Sequence, residues 1–125
     1  MSTLAGLIQT ADWKKEKHSP VVEAPETVKA GEAFKVAFGI GKEIAHPNTA
    51  EHHITYITLF FQPEGNKFPY QVAHVEFSAH GEVETFTDPW AKVMVKVNSA
   101  GTFIALAHCN IHGLWEGTKE VNLEA

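Results

Sequence analysis

The sequence predicts an all-β protein, an immunoglobulin-like β-sandwich of about seven strands with a short N-terminal helix or loop. Glycine and proline recur at short intervals after Pro20, and the segments between them are short and apolar, as in all-β proteins. In the clearest segment, 91–97, valines alternate with Lys92, Met94 and Lys96, which is the two-residue period of a half-buried strand. Short strands with regular turn signals are typical of immunoglobulin-like sandwiches.

The predicted elements begin with a short helix. Leu4, Leu7 and Ile8 are spaced as on one helical face and precede a charged run, so a short helix or turn and then an exposed loop are expected. Strands are expected at 34–40, 53–62, 70–78, 91–97, 102–108 and 118–123. Turn-forming residues at 63–66 and 98–101 predict two hairpin connections between these strands.

Length and composition limit the class of protein. The 125 residues suit a single domain, expected to span 1–125. A net charge of −5 disfavours nucleic acid as a partner, and no apolar run approaches the ~20 residues of a membrane span. The N terminus has neither the basic region nor the apolar run of a secretory signal. We therefore expect a soluble, cytoplasmic protein with neither a nucleic acid nor a membrane as partner.

Histidine is the unusual residue, with eight copies beside a single cysteine, Cys109. One cysteine excludes an intramolecular disulfide and a four-thiolate metal centre. Potential ligands concentrate in three places, 16–18, 46–53 and 108–113, which are loops or strand ends that a sandwich can bring together. A thiolate with several imidazoles is a ligand set for iron or copper, whereas zinc sites of this kind more often carry two or more thiolates.

Backbone geometry selects among the histidines. Neighbouring residues on an extended chain point to opposite faces, so His52 and His53 are not expected to share one ion, and the same reasoning separates His108 from Cys109. The most economical ligand set is therefore His18, His46, His52, Cys109 and His112. The other histidines are expected at packed, hydrogen-bonded or surface positions, namely His53, His74, His80 and His108.

Three motifs resemble one known family. They are Glu16-Lys17-His18, the run 41–54, and Cys109-Asn110-Ile111-His112-Gly113-Leu114-Trp115. These motifs resemble the superoxide reductases, also called neelaredoxins or the iron centre II domain of desulfoferrodoxin. The resemblance extends from about Trp13 to the last strand and implies an immunoglobulin-like sandwich. Two-iron members carry an added rubredoxin-like domain with four cysteines, so this chain resembles the one-iron class.

The resemblance implies an activity and a cofactor. Superoxide reductases are oxidoreductases that reduce superoxide to hydrogen peroxide with one electron and two protons, without producing dioxygen, as a detoxification in oxidative stress. The implied cofactor is one iron per chain, which cycles between Fe2+ and Fe3+. Rubredoxin or a similar electron carrier is the implied donor, and a homo-oligomer is expected because family members of this size are often tetramers.

The resemblance also implies a role for each site residue. Four equatorial imidazoles and an axial thiolate would come from His18, His46, His52, His112 and Cys109. In the family the histidine after the cysteine binds through Nδ1 and the others bind through Nε2. Glu16 matches the carboxylate that occupies the sixth position in the ferric state, and Lys17 matches the cation beside that position. Glu16 and Lys17 are therefore the expected catalytic residues.

Three other functions are alternatives to this interpretation. A cupredoxin-like electron carrier is also a small β-sandwich with Cys-x-x-His near its end. Its usual methionine follows the last histidine, however, whereas Met94 precedes Cys109, and such a carrier leaves His18 and His52 unexplained. A non-catalytic immunoglobulin-like binding module predicts no bound metal. Superoxide dismutase is closer in chemistry, but it also oxidises superoxide to dioxygen.

Overall fold

Two β-sheets and one helical turn form the fold in the computed structural model, which describes residues 2–125. Helix α1 covers Leu4–Leu7. The strands are β1 Val21–Glu23, β2 Thr27–Val28, β3 Phe34–Gly39, β4 Ile54–Pro63, β5 Tyr70–Glu76, β6 Trp90–Val95, β7 Gly101–Cys109 and β8 Gly113–Leu123. A 3-10 turn at Glu82–Glu84 lies between β5 and β6. No helix within residues 2–125 is long and apolar enough to cross a membrane.

The strands form one sheet of three and one of five. The order is β1-β3-β6 in the smaller sheet and β2-β8-β7-β4-β5 in the larger sheet. Neighbouring strands are antiparallel, except that β2 runs parallel to β8. The predicted all-β sandwich with a short N-terminal helix is therefore confirmed.

Alternation along β7 carries the core to the end of the sandwich. Its buried residues are Phe103, Ala105, Ala107 and Cys109, which is every second position, as the period of a strand requires. They belong to one apolar cluster with Phe38 of the opposite sheet. Cys109 is the last member of this inward-facing series, so its sulfur lies where the core meets the loops.

The strands differ from the sequence prediction in three respects. The prediction lacks β1 and β2, because strands of three and two residues are too short to show alternation. Strand β8 begins at Gly113 and not at 118, since Gly113 and Gly117 weaken the strand pattern. The predicted hairpin at 98–101 is wrong, because β6 and β7 belong to different sheets and this segment crosses between them. The hairpin at 63–66 is confirmed by antiparallel β4 and β5.

One glycine lets the N-terminal segment cross β8. A β-carbon on Gly117 would lie 2.2 Å from the carbonyl oxygen of Pro20, which is far closer than non-bonded carbon and oxygen atoms can pack. The chain before β1 can therefore pass directly against the backbone of β8. This path brings His18 to the same end of the sandwich as Cys109.

Candidate metal centre

Three segments meet at one end of the sandwich. The segment before β1 carries His18, the loop between β3 and β4 carries His46 and His52, and the turn that follows Cys109 carries His112. Five pairs of these imidazole rings have centroids 4.6 to 6.1 Å apart. The structure therefore brings together all five residues of the ligand set predicted from the sequence.

The turn between β7 and β8 holds Cys109 and His112 together. The backbone N–H of His112 donates to Sγ of Cys109 at 3.4 Å, and Nδ1 of His112 lies 3.6 Å from the same sulfur. The turn ends at Gly113 with φ 76°, in the left-handed region that glycine adopts without strain. Cys109 is 1% exposed, so the core shields its sulfur from solvent.

The potential ligand atoms converge on one centre. One ligand atom from each of His18, His46, His52 and Cys109 lies within 4.8 Å of every other. His112 adds a fifth, because its Nδ1 lies 3.1 Å from Nε2 of His18. Two adjacent nitrogens bound to one ion at about 2.1 Å are roughly 3 Å apart. This separation suits a shared metal ion.

Two buried ring nitrogens in this group have no hydrogen-bond partner among residues 2–125. They are Nε2 of His46 and Nε2 of His52. Nδ1 of His46 donates to the carbonyl oxygen of Pro47 at 2.7 Å, so Nδ1 carries the proton and Nε2 of the neutral ring has a free lone pair. A buried polar atom without a partner costs about 1–3 kcal/mol. A metal ion at the centre would bind both nitrogens, so the donor set fits a metal.

The surroundings of His18 fix its orientation. Oε1 of Glu16 accepts hydrogen bonds from Nδ1 of His18 at 2.8 Å and from its backbone N–H at 3.0 Å. Nδ1 therefore carries a proton, and Nε2 is the ring nitrogen that faces the centre, 3.1 Å from Nδ1 of His112. The indole of Trp115 stacks on the same imidazole at 5.0 Å and 18°, and its Nε1 donates to the carbonyl oxygen of His112 at 3.2 Å.

Burial keeps two imidazoles of the β3–β4 loop neutral, those of His46 and His52. It lowers the pKa of His46 to about 4, and the hydrogen bond to Pro47 opposes this effect only in part. The pKa of His52 is also lowered, first by burial and then by the charges of His112 and Lys17. Because a metal binds neutral imidazole, both side chains are in the binding form at neutral pH.

The two expected catalytic residues lie at the edge of the centre. Lys17 is half-buried, and its charge is close enough to lower the pKa of His46 and His52. Glu16 is not among the converging ligand atoms. Its carboxylate accepts hydrogen bonds from His18, whose backbone N–H is the main cause of the lowered pKa of Glu16. Binding of Glu16 at the sixth position requires it to leave His18 and stays a prediction.

Asn110, to which the sequence prediction gives no role, links two of the converging segments. Its Oδ1 accepts from the backbone N–H of His53 at 2.9 Å, and its Nδ2 donates to the carbonyl oxygen of Glu51 at 3.0 Å. Its own backbone N–H donates to the carbonyl oxygen of His53 at 3.1 Å. Asparagine in a tight turn often bonds to backbone, but the sequence does not reveal that this backbone flanks His52.

The segment between β5 and β6 supports the other side of the β3–β4 loop. Asn48 donates from Nδ2 to the carbonyl oxygen of Thr87 at 3.0 Å, and its Oδ1 lies 2.7 Å from Nδ1 of His80. The ring of His80 stacks on His53 at 3.5 Å and 8°, while Nδ1 of His53 donates to the carbonyl oxygen of Thr49 at 2.8 Å. His53 and His80 therefore support the loop from outside the ligand group.

The other two histidines lie on the outer face of the five-stranded sheet. Nδ1 of His74 lies 2.7 Å from Oγ1 of Thr58. Nδ1 of His108 contacts Oγ1 of Thr55, and its ring stacks on Tyr56 at 5.1 Å and 10°. Both imidazoles have a hydroxyl partner and lie outside the converging group, as the sequence prediction expects.

Comparison with known proteins places this chain in a family. The family model for desulfoferrodoxin matches residues 10–118. The superoxide reductase of Pyrococcus furiosus is 51% identical over 124 residues, which cover 94% of this chain and 96% of that protein.

Solved structures agree with the sequence comparison. The crystal structure of a Thermotoga maritima protein superposes with a TM-score of 0.96 at 47% identity and covers 100% of both chains. The superoxide reductase (neelaredoxin) from Archaeoglobus fulgidus in the reduced form has a TM-score of 0.85 at 49% identity, over 94% of this chain and 99% of that one. With the family model spanning most of its length and such relatives aligned over nearly all of it, the chain belongs to the desulfoferrodoxin family.

Proposed function

We propose that this protein is a superoxide reductase, which reduces superoxide to hydrogen peroxide with one electron and two protons and releases no dioxygen. The observation that carries the proposal is the convergence of four imidazoles and one thiolate, with two buried nitrogens left unpaired among the described residues. Relatives about half identical over nearly the whole chain bear the name superoxide reductase.

The number of donors argues against the cupredoxin alternative. A blue-copper carrier uses two histidines, one cysteine and a weak axial ligand. Here the ligand atoms of His18 and His52 converge on the same centre as those of Cys109 and His112. A cupredoxin leaves these additional imidazoles without a role, whereas a five-donor iron site uses all of them.

Iron is the metal that the proposal assigns to this donor set. The ligands would be His18, His46, His52, His112 and Cys109. Iron bound there, one per chain, would supply the electron that reduces superoxide by cycling between Fe2+ and Fe3+. The thiolate offsets one charge of a ferrous ion and the neutral imidazoles offset none, so the site keeps one formal positive charge that favours an anionic substrate.

Lys17 supports this chemistry through its charge. The chain as a whole carries −5, so its overall field repels an anion. A cation beside the centre reverses that field locally and can raise association rates ~10-fold or more. The ammonium group of Lys17 can also orient a water molecule that delivers protons to the reduced substrate.

Glu16 has two assigned roles. In the structure its carboxylate holds the proton of His18 at Nδ1, and a carboxylate at that position orients a ligating imidazole and makes it a stronger donor. In the oxidised protein we assign Glu16 to the sixth position, where it would exclude other anions after turnover. The two roles alternate, because Oε1 is engaged by His18 in the structure.

Residues 2–125 contain one converging ligand group, so the proposal needs an external electron donor. We propose rubredoxin or a similar small electron carrier as the donor. A homotetramer and a cytoplasmic location complete the proposal, and both rest on the resemblance to one-iron superoxide reductases. Reduction of the oxidised protein by purified rubredoxin tests the donor, and sedimentation equilibrium tests the tetramer.

A single-turnover experiment tests the proposed reaction. Iron-loaded, fully reduced protein is mixed with one pulse of superoxide, and hydrogen peroxide and dioxygen are measured together. We expect one peroxide per oxidised iron and no dioxygen beyond that of spontaneous dismutation in a metal-free control. Dioxygen formed in proportion to peroxide would identify a dismutase, and an unchanged iron spectrum would overturn the proposal.

The role of Lys17 is tested with a matched lysine. Lys17→Ala is expected to slow the second-order reaction with superoxide about 10-fold at low ionic strength and to weaken its dependence on salt. Lys67→Ala is the control, because Lys67 lies in the β4–β5 hairpin, whereas the opposite end of β4 pairs with Cys109. Equal rates for the two variants at low ionic strength would refute a steering role for Lys17.

A further inference from the structure

We infer that Asn110 is a positioning residue, which sets the distance between His52 and the turn that carries Cys109 and His112. The inference rests on the metal centre of the proposed function but not on its reaction. The side-chain amide spans two backbone groups on either side of His52, the N–H of His53 at 2.9 Å and the carbonyl of Glu51 at 3.0 Å.

The amide of Asn110 matches both groups at once. Its oxygen accepts from His53 while its nitrogen donates to Glu51, and asparagine is the shorter of the two amide side chains, which carry an acceptor and a donor on separate atoms. An alanine offers neither, and a glutamine carries the amide one methylene too far from the backbone. The fit therefore depends on both the chemistry and the length of this side chain.

The side chain of Asn110 joins the β7–β8 turn to the part of the β3–β4 loop that carries His52. Within its own loop the backbone of His52 is fixed by Thr49, whose Oγ1 accepts from the N–H of His52 at 3.1 Å and whose N–H donates to its carbonyl at 2.9 Å. Those bonds shape the loop but do not attach it to the β7–β8 turn. The backbone N–H of Asn110 and the pairing of Ile54 with Cys109 attach the end of the loop, after His52. The side chain of Asn110 extends this attachment to Glu51, on the other side of His52.

The attachment matters because metal ligands tolerate little displacement. Ligand distances of a working site fall within about 0.2 Å of their standard values, and partners that orient ligands typically change metal affinity 10–100-fold when they are removed. Nε2 of His52 is buried without a protein partner among residues 2–125, so its position is set by the loop that carries it. Loss of the side-chain amide would leave only the backbone attachment after His52, so the part of the loop that carries His52 could shift relative to Cys109.

The test titrates Co2+ alone into metal-free protein. The variants are Asn110→Ala and Asn110→Gln, and the control is Asn66→Ala. Asn66 also accepts a backbone hydrogen bond, from the N–H of Phe68 at 2.9 Å, but it lies in the hairpin at the far end of β4. The readouts are the Co2+ dissociation constant, the thiolate-to-cobalt absorption band, and the urea midpoint of the metal-free protein.

We expect both Asn110 variants to bind Co2+ about 10–100-fold more weakly with a weakened or displaced absorption band, and Asn66→Ala to bind within about twofold of the parent protein. If Asn110→Ala does not fold, the Co2+ affinity and the absorption band of Asn110→Gln test the inference. Parental affinity and an unchanged band in the folded Asn110 variants would overturn the inference, as would an equal loss of affinity in Asn66→Ala. A parent protein that binds Co2+ normally but, loaded with iron, fails to reduce superoxide would overturn the proposed function alone.

Discussion

Two histidine-containing regions of this molecule differ in how their ring nitrogens are satisfied. On the outer face of the five-stranded sheet, Nδ1 of His74 and Nδ1 of His108 each face a threonine hydroxyl. At the loop end of the sandwich, Nε2 of His46 and Nε2 of His52 are buried without a partner among the described residues. Paired imidazoles contribute to the stability of the metal-free fold, whereas unpaired ones reduce it, so the partners of a histidine are more informative than the number of histidines.

The largest expected effect separates the two regions directly. His46→Ala and His52→Ala are each expected to weaken Co2+ or Fe2+ binding by about 100-fold or more, because structural zinc sites with four donors supply roughly 10–16 kcal/mol in total, or about 2.5–4 kcal/mol per donor. His74→Gln is expected to leave metal affinity within about twofold, since His74 lies outside the converging group. Metal titration followed by absorption measures both effects.

The variant His74→Gln also has an expected effect on the stability of the metal-free protein. His74→Gln is expected to lower the free energy of unfolding by about 1 kcal/mol through loss of its bond to Thr58, and urea unfolding measures this change. A loss of metal affinity in His74→Gln as large as that in His46→Ala would remove the distinction between the two regions.

The second prediction concerns pH and the metal-free protein. The pKa of His46 is about 4 in the folded state and 6.5 in its ordinary environment, so between these values the unfolded chain binds more protons and stability rises with pH. His52 shifts in the same direction. We expect maximal stability above about pH 6.5 and a progressive loss as pH falls towards about 4.

Urea midpoints measured between about pH 4 and pH 6.5 give the slope of stability against pH. The variant His46→Ala isolates the contribution of one imidazole to that slope. The variant should lose less stability on acidification than the parent protein. A slope unchanged in His46→Ala would show that this histidine is not buried in neutral form.

A smaller effect is expected at the tryptophan that contacts two of the proposed ligands. Trp115→Phe keeps an aromatic ring to stack on His18 but loses the hydrogen bond from Nε1 to the carbonyl of His112. We expect metal affinity to fall only a few-fold, below the 10–100-fold typical of partners that orient a ligand directly. Trp13→Phe is the matched control and should leave the titration unchanged; a larger loss there than in Trp115→Phe would contradict the assignment.

The smallest expected effect tests whether an unpaired atom alone marks a site. Ser19 is 3% exposed, and its Oγ also has no partner within residues 2–125, but the converging ligand group consists of imidazoles and a thiolate. Ser19→Ala is expected to leave metal affinity unchanged and to raise the free energy of unfolding by up to about 1 kcal/mol. Thermal unfolding with and without metal measures it, and a weaker metal affinity would show that this hydroxyl serves the centre.

The ligand candidates were predictable from sequence because their spacing carries geometric information. Residues that alternate on a strand or flank a turn have known directions, which is why His53 and His108 could be separated from His52 and Cys109. Short strands β1 and β2 carry no such pattern, and the 98–101 segment has turn residues that do not reveal which sheet follows. Turn chemistry is local, whereas sheet membership depends on distant pairing.

The supporting residues were harder to predict for the same reason. Asn110 and Trp115 lie near the predicted ligands in sequence, but they contact distant parts of the chain. Asn110 bonds to His53, which is 57 positions away, and Trp115 stacks on His18, which precedes β1. Such long-range contacts become visible only in the folded chain. Glu16 lies two positions from His18, and the sequence does not show which ring nitrogen it contacts.

The spread of the proposed ligands along the chain has a consequence for folding. His18 and His112 are 94 positions apart, so one ion bound by both would act as a reversible crosslink around most of the protein. In a chain-entropy description, closing a loop of about 100 residues is worth about 4–5 kcal/mol, and a ligand that binds only the folded state adds stability with its concentration. The supply of metal would then govern how long the folded chain persists, and a molecule that lost its ion would be more easily unfolded and degraded.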